Sequence, residues 1–164
     1  MFLDELENIG EYDYLLLDTG AGVSKDILAF ISASEELIVI TTPEPTSLTD
    51  AYSLIKVTDH FKLKTKVKIV VNKAFTKEEG EETFNKMLRA VSRFLKIEVE
   101  YLGYILDDRK LVQSVRAQKP FILLYPNCDA AKNVESIAKK ISGESGSSSE
   151  SVKGLFKKIL SAFS

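Results

Sequence analysis

The sequence predicts a three-layer αβα fold built on a mostly parallel sheet. Two observations carry this. Apolar runs of strand length alternate with stretches of helical periodicity, and those runs are apolar nearly throughout rather than at every second residue. Parallel strands need a crossover connection, usually a helix, and strands covered on both faces read as continuous apolar runs. A third observation is size: 164 residues, 45% hydrophobic, suffice for one domain with a real core.

The elements follow in order. Tyr12–Asp18 (YDYLLLD) reads as a buried strand and Ser24–Ser32 as a short helix. Glu36–Thr42 (ELIVITT) is a second strand. Ser47–Phe61 is a helix opened by a Ser47-x-x-Asp50 capping box. Val67–Lys73 (VKIVVNK) is a third strand, and a second capping box, Thr76 to Glu79, opens the next helix. Its residues Phe84, Met87, Leu88, Val91, Phe94 and Leu95 share one helical face. Ile97–Leu106 is a fourth strand whose start alternates between apolar and acidic residues, which predicts a position near the sheet edge. Helical stretches around Leu111–Gln118 and Ala130–Ile141 complete a domain spanning residues 1–142. Residues 143–151 (GESGSSSES) have the composition of a flexible linker, and 152–164 form a last segment.

Bulk properties exclude several classes. A net charge of −2 provides no general attraction to nucleic acid, so no specific nucleic-acid binding is expected. The lone Cys128 permits no intrachain disulfide, which favours a reducing, cytoplasmic setting. Neither a signal peptide nor a transmembrane run is read. His60 has no metal-ligating neighbours at useful spacing, and Cys128 has no evident catalytic histidine.

In parallel α/β sheets ligands sit beyond the carboxyl ends of the strands. That rule singles out Asp18-Thr19-Gly20, Thr42-Pro43-Glu44 and Asn72-Lys73. A carboxylate ending a buried strand is placed to hold a water of Mg²⁺, and the glycines at 20 and 22 let backbone N–H groups approach a phosphate. Asp and Gly also start turns, so this pattern has a plain structural reading as well. Asn72 carries a donor and an acceptor on one side chain, the equipment for reading a purine edge.

The runs YDYLLLDTGAGVSKDILAFISASEELIVITTPEPTSLTDAYSLI, KIVVNKA and GYILDDRKLVQSVRAQKPFILLYP resemble the MinD/ParA family of deviant Walker-A P-loop ATPases. Within it the resemblance is nearest to the MinD-like ATPases that set flagellar number and position (FlhG, FleN or YlxH). The resemblance covers about residues 5–141. It implies a partial P-loop NTPase fold that binds ATP and Mg²⁺, dimerises, and acts as a spatial regulator of flagella or of the division site. It implies that Asp18 is the Walker B carboxylate, reaching Mg²⁺ through water. It makes Gly20, Ala21 and Gly22 part of switch II, Asn72 with Lys73 the adenine contact, and Pro43 and Asp107 neighbours of the base. The Ser47–Phe61 helix would face protein partners. The sequence departs from the family's pattern: none of its glycines is followed by lysine, so no phosphate loop of the KGGxGK[ST] type can be drawn, and the switch I with its catalytic aspartate that the resemblance implies upstream is not read either. Little ATP binding and no hydrolysis are therefore expected of this chain alone. The apolar runs Tyr14–Asp18 and Glu36–Thr42, deprived of the phosphate-loop strand, are expected to close the sheet in a nonstandard order or to drive self-association.

Val152–Phe163 sets Leu155, Phe156, Ile159, Leu160 and Phe163 on one helical face, with Lys153, Lys157 and Lys158 off it. This is a short basic amphipathic helix, and MinD-type proteins end similarly. The expectation is reversible binding to the inner face of the cell membrane, weakened by salt. Two further functions compete. One is a non-catalytic adaptor with a vestigial site. The other is a phospho-receiver domain using Asp18, Thr42 and Lys73, for which only Asp4 and Glu5 are available as an upstream acidic pair.

Overall fold

The computed structural model describes residues 13–144. The amphipathic tail, its lysines, residues 145–151 of the linker and the acidic pair at Asp4 and Glu5 lie outside those residues. The described elements run α1 (Lys25–Ala33), β1 (Glu36–Thr41), α2 (Pro45–His60), β2 (Lys66–Ala74), α3 (Lys77–Phe94), β3 (Val99–Leu106), α4 (Arg109–Arg116), α5 (Phe121–Leu124) and α6 (Asp129–Glu144). The strands form one parallel sheet in the order β1-β2-β3, with Leu37 opposite Val67 and Val67 opposite Val99.

The sheet is covered on both faces, as its apolar strands require. On one face, Val67, Ile69 and Val71 of β2 pack with Val39, with Ala51 and Ile55 of α2, and with Phe84, Met87 and Val91 of α3. On the other, Val70 and Leu102 meet Ile137 of α6, with Ile38, Ile105 and Ile141 around them. β2 lies between two strands and is buried continuously from Val67 to Val71. Lys68 breaks the apolar run yet is only 1% exposed. Its ammonium reaches the carboxylate of Glu36 on the neighbouring strand at 3.1 Å. A charge survives there because a partner is within ion-pair distance.

Helix starts follow local chemistry. The Ser24 side chain accepts from the Ile27 N–H and opens α1, and Thr76 accepts from Glu79 N–H at 3.1 Å and opens α3 as expected. The Glu79 carboxylate bonds the N–H of Phe75, one residue before the cap, rather than that of Thr76. The box expected at Ser47 and Asp50 does not form. α2 begins at Pro45, where a ring with fixed φ and no N–H suits the first helical position. Ser47 is thereby drawn into the first turn, and its hydroxyl turns back to the end of β1. Phe94 lies 67% exposed instead of joining the apolar face of α3, because the helix stops there.

The largest departure concerns the first expected strand. Residues 14–20 adopt no regular secondary structure, and Leu16 is 81% exposed. A strand exists only where a neighbour accepts its backbone bonds, and the described sheet ends at β1. Among the described residues the strands keep the order β1-β2-β3, and the sheet does not include this run. β3 is an edge strand, as its alternating start predicts. Smaller shifts are the short α5, absent from the sequence reading, and α6, which extends through Gly143 and Glu144 into the stretch assigned to the linker.

Candidate functional site

The carboxyl ends of the three strands carry the candidate residues, and the structure joins part of the set. β2 does not stop at Asn72-Lys73. It continues to Ala74 across an irregularity between Val71 and Ala74, so both residues sit in a bulge. Lys73 adopts φ 56, the left-handed region. The Asn72 carbonyl oxygen accepts from the Lys73 N–H at 2.9 Å, which steadies this turn. A bulge re-aims side chains away from the ladder. Asn72 is half-buried and Lys73 exposed. The bonded carbonyl fixes the amide's orientation, and its NH₂ group has no bond to another described residue.

Asp107 is held beside this bulge: its N–H donates to the Ala74 carbonyl at 2.9 Å, and its own side chain is exposed. The next residue has a different task. Asp108 caps α4, its carboxylate accepting from the Lys110 N–H at 2.8 Å. That bond, helped by Cys128 and the Ala130 N–H at the start of α6, holds its carboxyl below the usual range. Asn133 of α6 accepts from the Leu106 N–H at 3.1 Å. The Asp107 loop is therefore tied on both sides, to β2 and to α6. Nothing in the sequence pattern advertised the links to Cys128 and Asn133, which join residues distant along the chain.

At the end of β1, Ser47 accepts from the Thr42 N–H at 2.9 Å and lies 3.1 Å from the Thr41 hydroxyl. The Thr42 hydroxyl donates to Glu44 at 3.2 Å. This hydroxyl network fixes the turn at Pro43, which is half-buried. The proline following Glu44 was the sequence signal for it.

Asp18 and the loop Gly20-Ala21-Gly22 are placed differently. They are exposed, in the irregular segment before α1, and no hydrogen bond among the described residues ties 15–22 to the sheet. Gly22 has φ +100, a conformation that favours glycine, and a Cβ on Gly20 would meet nothing within 4 Å. The loop is thus open to a ligand. Among the described residues no group of three or more His, Cys, Asp or Glu side chains gathers as a metal cage. A single carboxylate suits Mg²⁺, which keeps several waters and takes its other ligands from phosphate. By chemistry, Asp18 could hold a water of Mg²⁺, and Asn72 could hold a base. Among the described residues no phosphate cradle is formed. His60 ends α2 exposed, with its ring edge-to-face on Phe61. Cys128 precedes α6, half-buried.

Comparison with known proteins settles the family. A family profile described as "ParA: NUBPL iron-transfer P-loop NTPase" matches residues 1–142. The chain belongs to the ParA family of P-loop NTPases. Among curated proteins, this ParA-family chain is 31% identical over 140 residues to the antiactivator FleN of Pseudomonas aeruginosa, covering 85% of the chain and 49% of FleN. It is 31% identical over 165 residues to the flagellum site-determining protein YlxH of Helicobacter pylori, covering 97% of the chain and 55% of YlxH. The septum site-determining protein MinD of Thermotoga maritima is 26% identical over 141 residues. The chain spans about half the length of these relatives. Solved structures agree on the fold. The MinD cell division protein of Aquifex aeolicus superposes with a TM-score of 0.68 at 24% identity, covering 90% of this chain and 61% of that one. MinD of Pyrococcus horikoshii, complexed with Mg-ADP, gives 0.65 at 20% identity, covering 88% and 58%.

Proposed function

We propose that this ParA-family chain carries the base-side and metal-side contacts of a nucleotide switch that regulates flagellar number or division-site placement. The observation that carries the reading is the tie between two adjacent strand ends: the Asn72–Lys73 bulge of β2 and the Asp107 loop of β3, joined through the Ala74 carbonyl. Parallel α/β sheets bind ligands at this place, and FleN, YlxH and MinD support the regulatory role. The Asn72 amide, its carbonyl oriented by Lys73, offers its NH₂ to a ring nitrogen of adenine. Pro43 and Asp107 border the base. Asp18 would hold a water of Mg²⁺, and the N–H groups of the Gly20–Gly22 loop would be available to a phosphate. Bound ATP and Mg²⁺ would supply the charge that orders the exposed loop; the chain's own part is to hold the base and orient the metal's water. We further propose that the domain extends through α6, and that the stretch from 152, read from its sequence as a basic amphipathic helix, binds anionic membrane through Leu155, Phe156, Ile159, Leu160 and Phe163 with Lys153, Lys157 and Lys158. The outer face of α2 is the surface for a protein partner.

The test is equilibrium binding of a fluorescent ADP with Mg²⁺ to the full chain, read by anisotropy. Weak, magnesium-dependent retention that falls in Asn72→Ala and Asp18→Ala is the expected result. Retention unchanged in both variants would overturn the site. A second reading, a non-catalytic adaptor, is favoured by the exposure of Asp18 away from any described strand. Absence of any retention, together with liposome binding that disappears when the chain is cut after Ser151, would select the adaptor.

A further inference from the structure

A helix that joins two parallel strands runs back along the sheet and ends where the next strand starts. α1, α2 and α3 precede β1, β2 and β3 in this way, so all three end at the pole opposite the candidate site. Two side-chain bonds fix the turn 61–65 there. The Thr65 hydroxyl donates to the Ile31 carbonyl of α1 at 2.9 Å, and the Asp59 carboxylate of α2 accepts from the Lys96 N–H just past α3 at 3.3 Å. Described elements thus border this turn on both sides.

The pole they form is apolar and basic. Phe61 is 58% and Phe94 67% exposed. Lys62, Lys64, Arg93 and Lys96 are exposed around them. Residues 60–66 (HFKLKTK) and 89–96 (RAVSRFLK) contain no acid; the nearest along the chain are Asp59, whose carboxylate takes the Lys96 N–H, and Glu98. Among the described residues none of the four cations forms an ion pair. Lys62 has φ 51, past a helix end where glycine is usual and sits without strain. The chain leaves the described domain at the same pole. Asn133 of α6 lies against Leu106 at the end of β3 and Lys140 against Leu102 nearer its start, so α6 runs toward the start of β3.

We propose that this pole is a second membrane contact: Lys62, Lys64, Arg93 and Lys96 meet anionic lipid headgroups while the Phe61 and Phe94 rings enter the boundary of the acyl chains. Cations are drawn to an anionic leaflet, and aromatic rings lodge at that boundary. Lipid is favoured over nucleic acid by the proposed membrane segment from 152, which follows α6 from this pole, and the contact rests on that reading to this extent. The contact orients the domain. The carboxyl ends of the strands, with Asn72 and Asp107, face away from the lipid and stay open to nucleotide.

Co-sedimentation of the full chain with vesicles tests it, comparing phosphatidylcholine mixed with phosphatidylserine against phosphatidylcholine alone. Binding to the mixed vesicles is expected to fall by about tenfold or more in Lys62→Glu/Lys96→Glu, and by a similar factor in Phe61→Ser/Phe94→Ser. Lys77→Glu/Lys132→Glu makes the same change of charge at the opposite pole, where both side chains are exposed, and should stay within about twofold of the parent. Circular dichroism checks folding, and Lys62→Gln and Phe94→Ala replace a double variant that does not fold. Leu155→Ser/Ile159→Ser separates the two readings. Binding lowered at the pole and indifferent to this change rejects the tail and keeps the pole contact. Binding lost with this change and indifferent to the pole variants overturns the pole contact and keeps the tail. Equal loss in both charge variants overturns the pole contact, and a parent chain that binds neither vesicle overturns both readings. Retention of double-stranded DNA that falls in the pole variants, with vesicle binding unchanged, overturns it in favour of nucleic acid.

Discussion

Replacing Gly80 by alanine is expected to destabilise the protein although it improves a helix. Gly80 is buried in the first turn of α3, facing β3. A Cβ there would stand 2.8 Å from Cβ and 3.2 Å from Cγ of Tyr104, and 3.4 Å from the Tyr101 hydroxyl. Comfortable carbon–carbon contact is about 3.5–4.0 Å. The nearest clashing atom is a β carbon, fixed by the strand backbone, so no rotamer change removes it. Relief requires α3 to move off β3, which loosens the Phe84–Tyr101 ring stack at 4.7 Å. Overpacking of this kind costs about 1–3 kcal/mol, against a gain of about 1 kcal/mol from exchanging helical glycine for alanine. The net loss should be about 1 kcal/mol, or a fall in Tm of roughly 3–5 °C. Urea unfolding followed by circular dichroism, with an unchanged m-value, measures it. Gly143→Ala is the control: it also lies in a helix, with nothing within 4 Å of the added carbon, so it should be neutral or slightly stabilising. A Gly80→Ala chain as stable as its parent would refute the packing argument.

Further outcomes follow from polar side chains at three places in the fold. The buried Tyr101 hydroxyl has no hydrogen-bond partner among the described residues, so Tyr101→Phe should stabilise the fold by about 1 kcal/mol in the same urea assay. Burial pushes the Tyr101 hydroxyl from 10.0 to about 12. Its contribution is therefore complete below pH 10.0 and lost as pH rises toward 12, and an ultraviolet titration should show one tyrosine ionising late. Asp108→Ala removes the cap of α4 and should cost about 1 kcal/mol, with Asp108→Asn costing much less. Because the Asp108 carboxyl is lowered in the folded chain, the parent's advantage over Asp108→Asn should hold above the ordinary carboxylate range and vanish as pH falls through the lowered value. Glu36→Leu leaves the Lys68 ammonium, 1% exposed, without its carboxylate at 3.1 Å, and should cost about 2 kcal/mol, whereas Lys68→Met should be close to neutral in chemical denaturation.

Much of the architecture was legible because it rests on local rules. A strand such as Val67–Val71, apolar at every position but Lys68, has to be covered on both faces, and the period of Phe84, Met87 and Val91 has to turn one helix face inward. Thr76 followed by Glu79 is a complete start signal within four residues. Misreadings came where two local signals competed or where a partner was needed. Ser47 looked like a cap, but Pro45 nearby sets the helix start and leaves the hydroxyl to the strand end. Leu15–Leu17 has every local mark of a strand, yet a strand is a relation between two segments. The candidate site divides the same way: Asn72 and Lys73 were found from their place in the chain, while the bulge that re-aims them arises from the fit of β2 against β3.

Sequence alone determined the order of elements, the parallel sheet and the residue types available to a nucleotide, because periodicity and composition are properties of single segments. Tertiary structure decided that Asp107 rather than Asp108 faces outward and that Asp18 stands apart from the described strands. Those outcomes depend on hydrogen bonds between residues far apart in the chain, whose pairing no local pattern encodes.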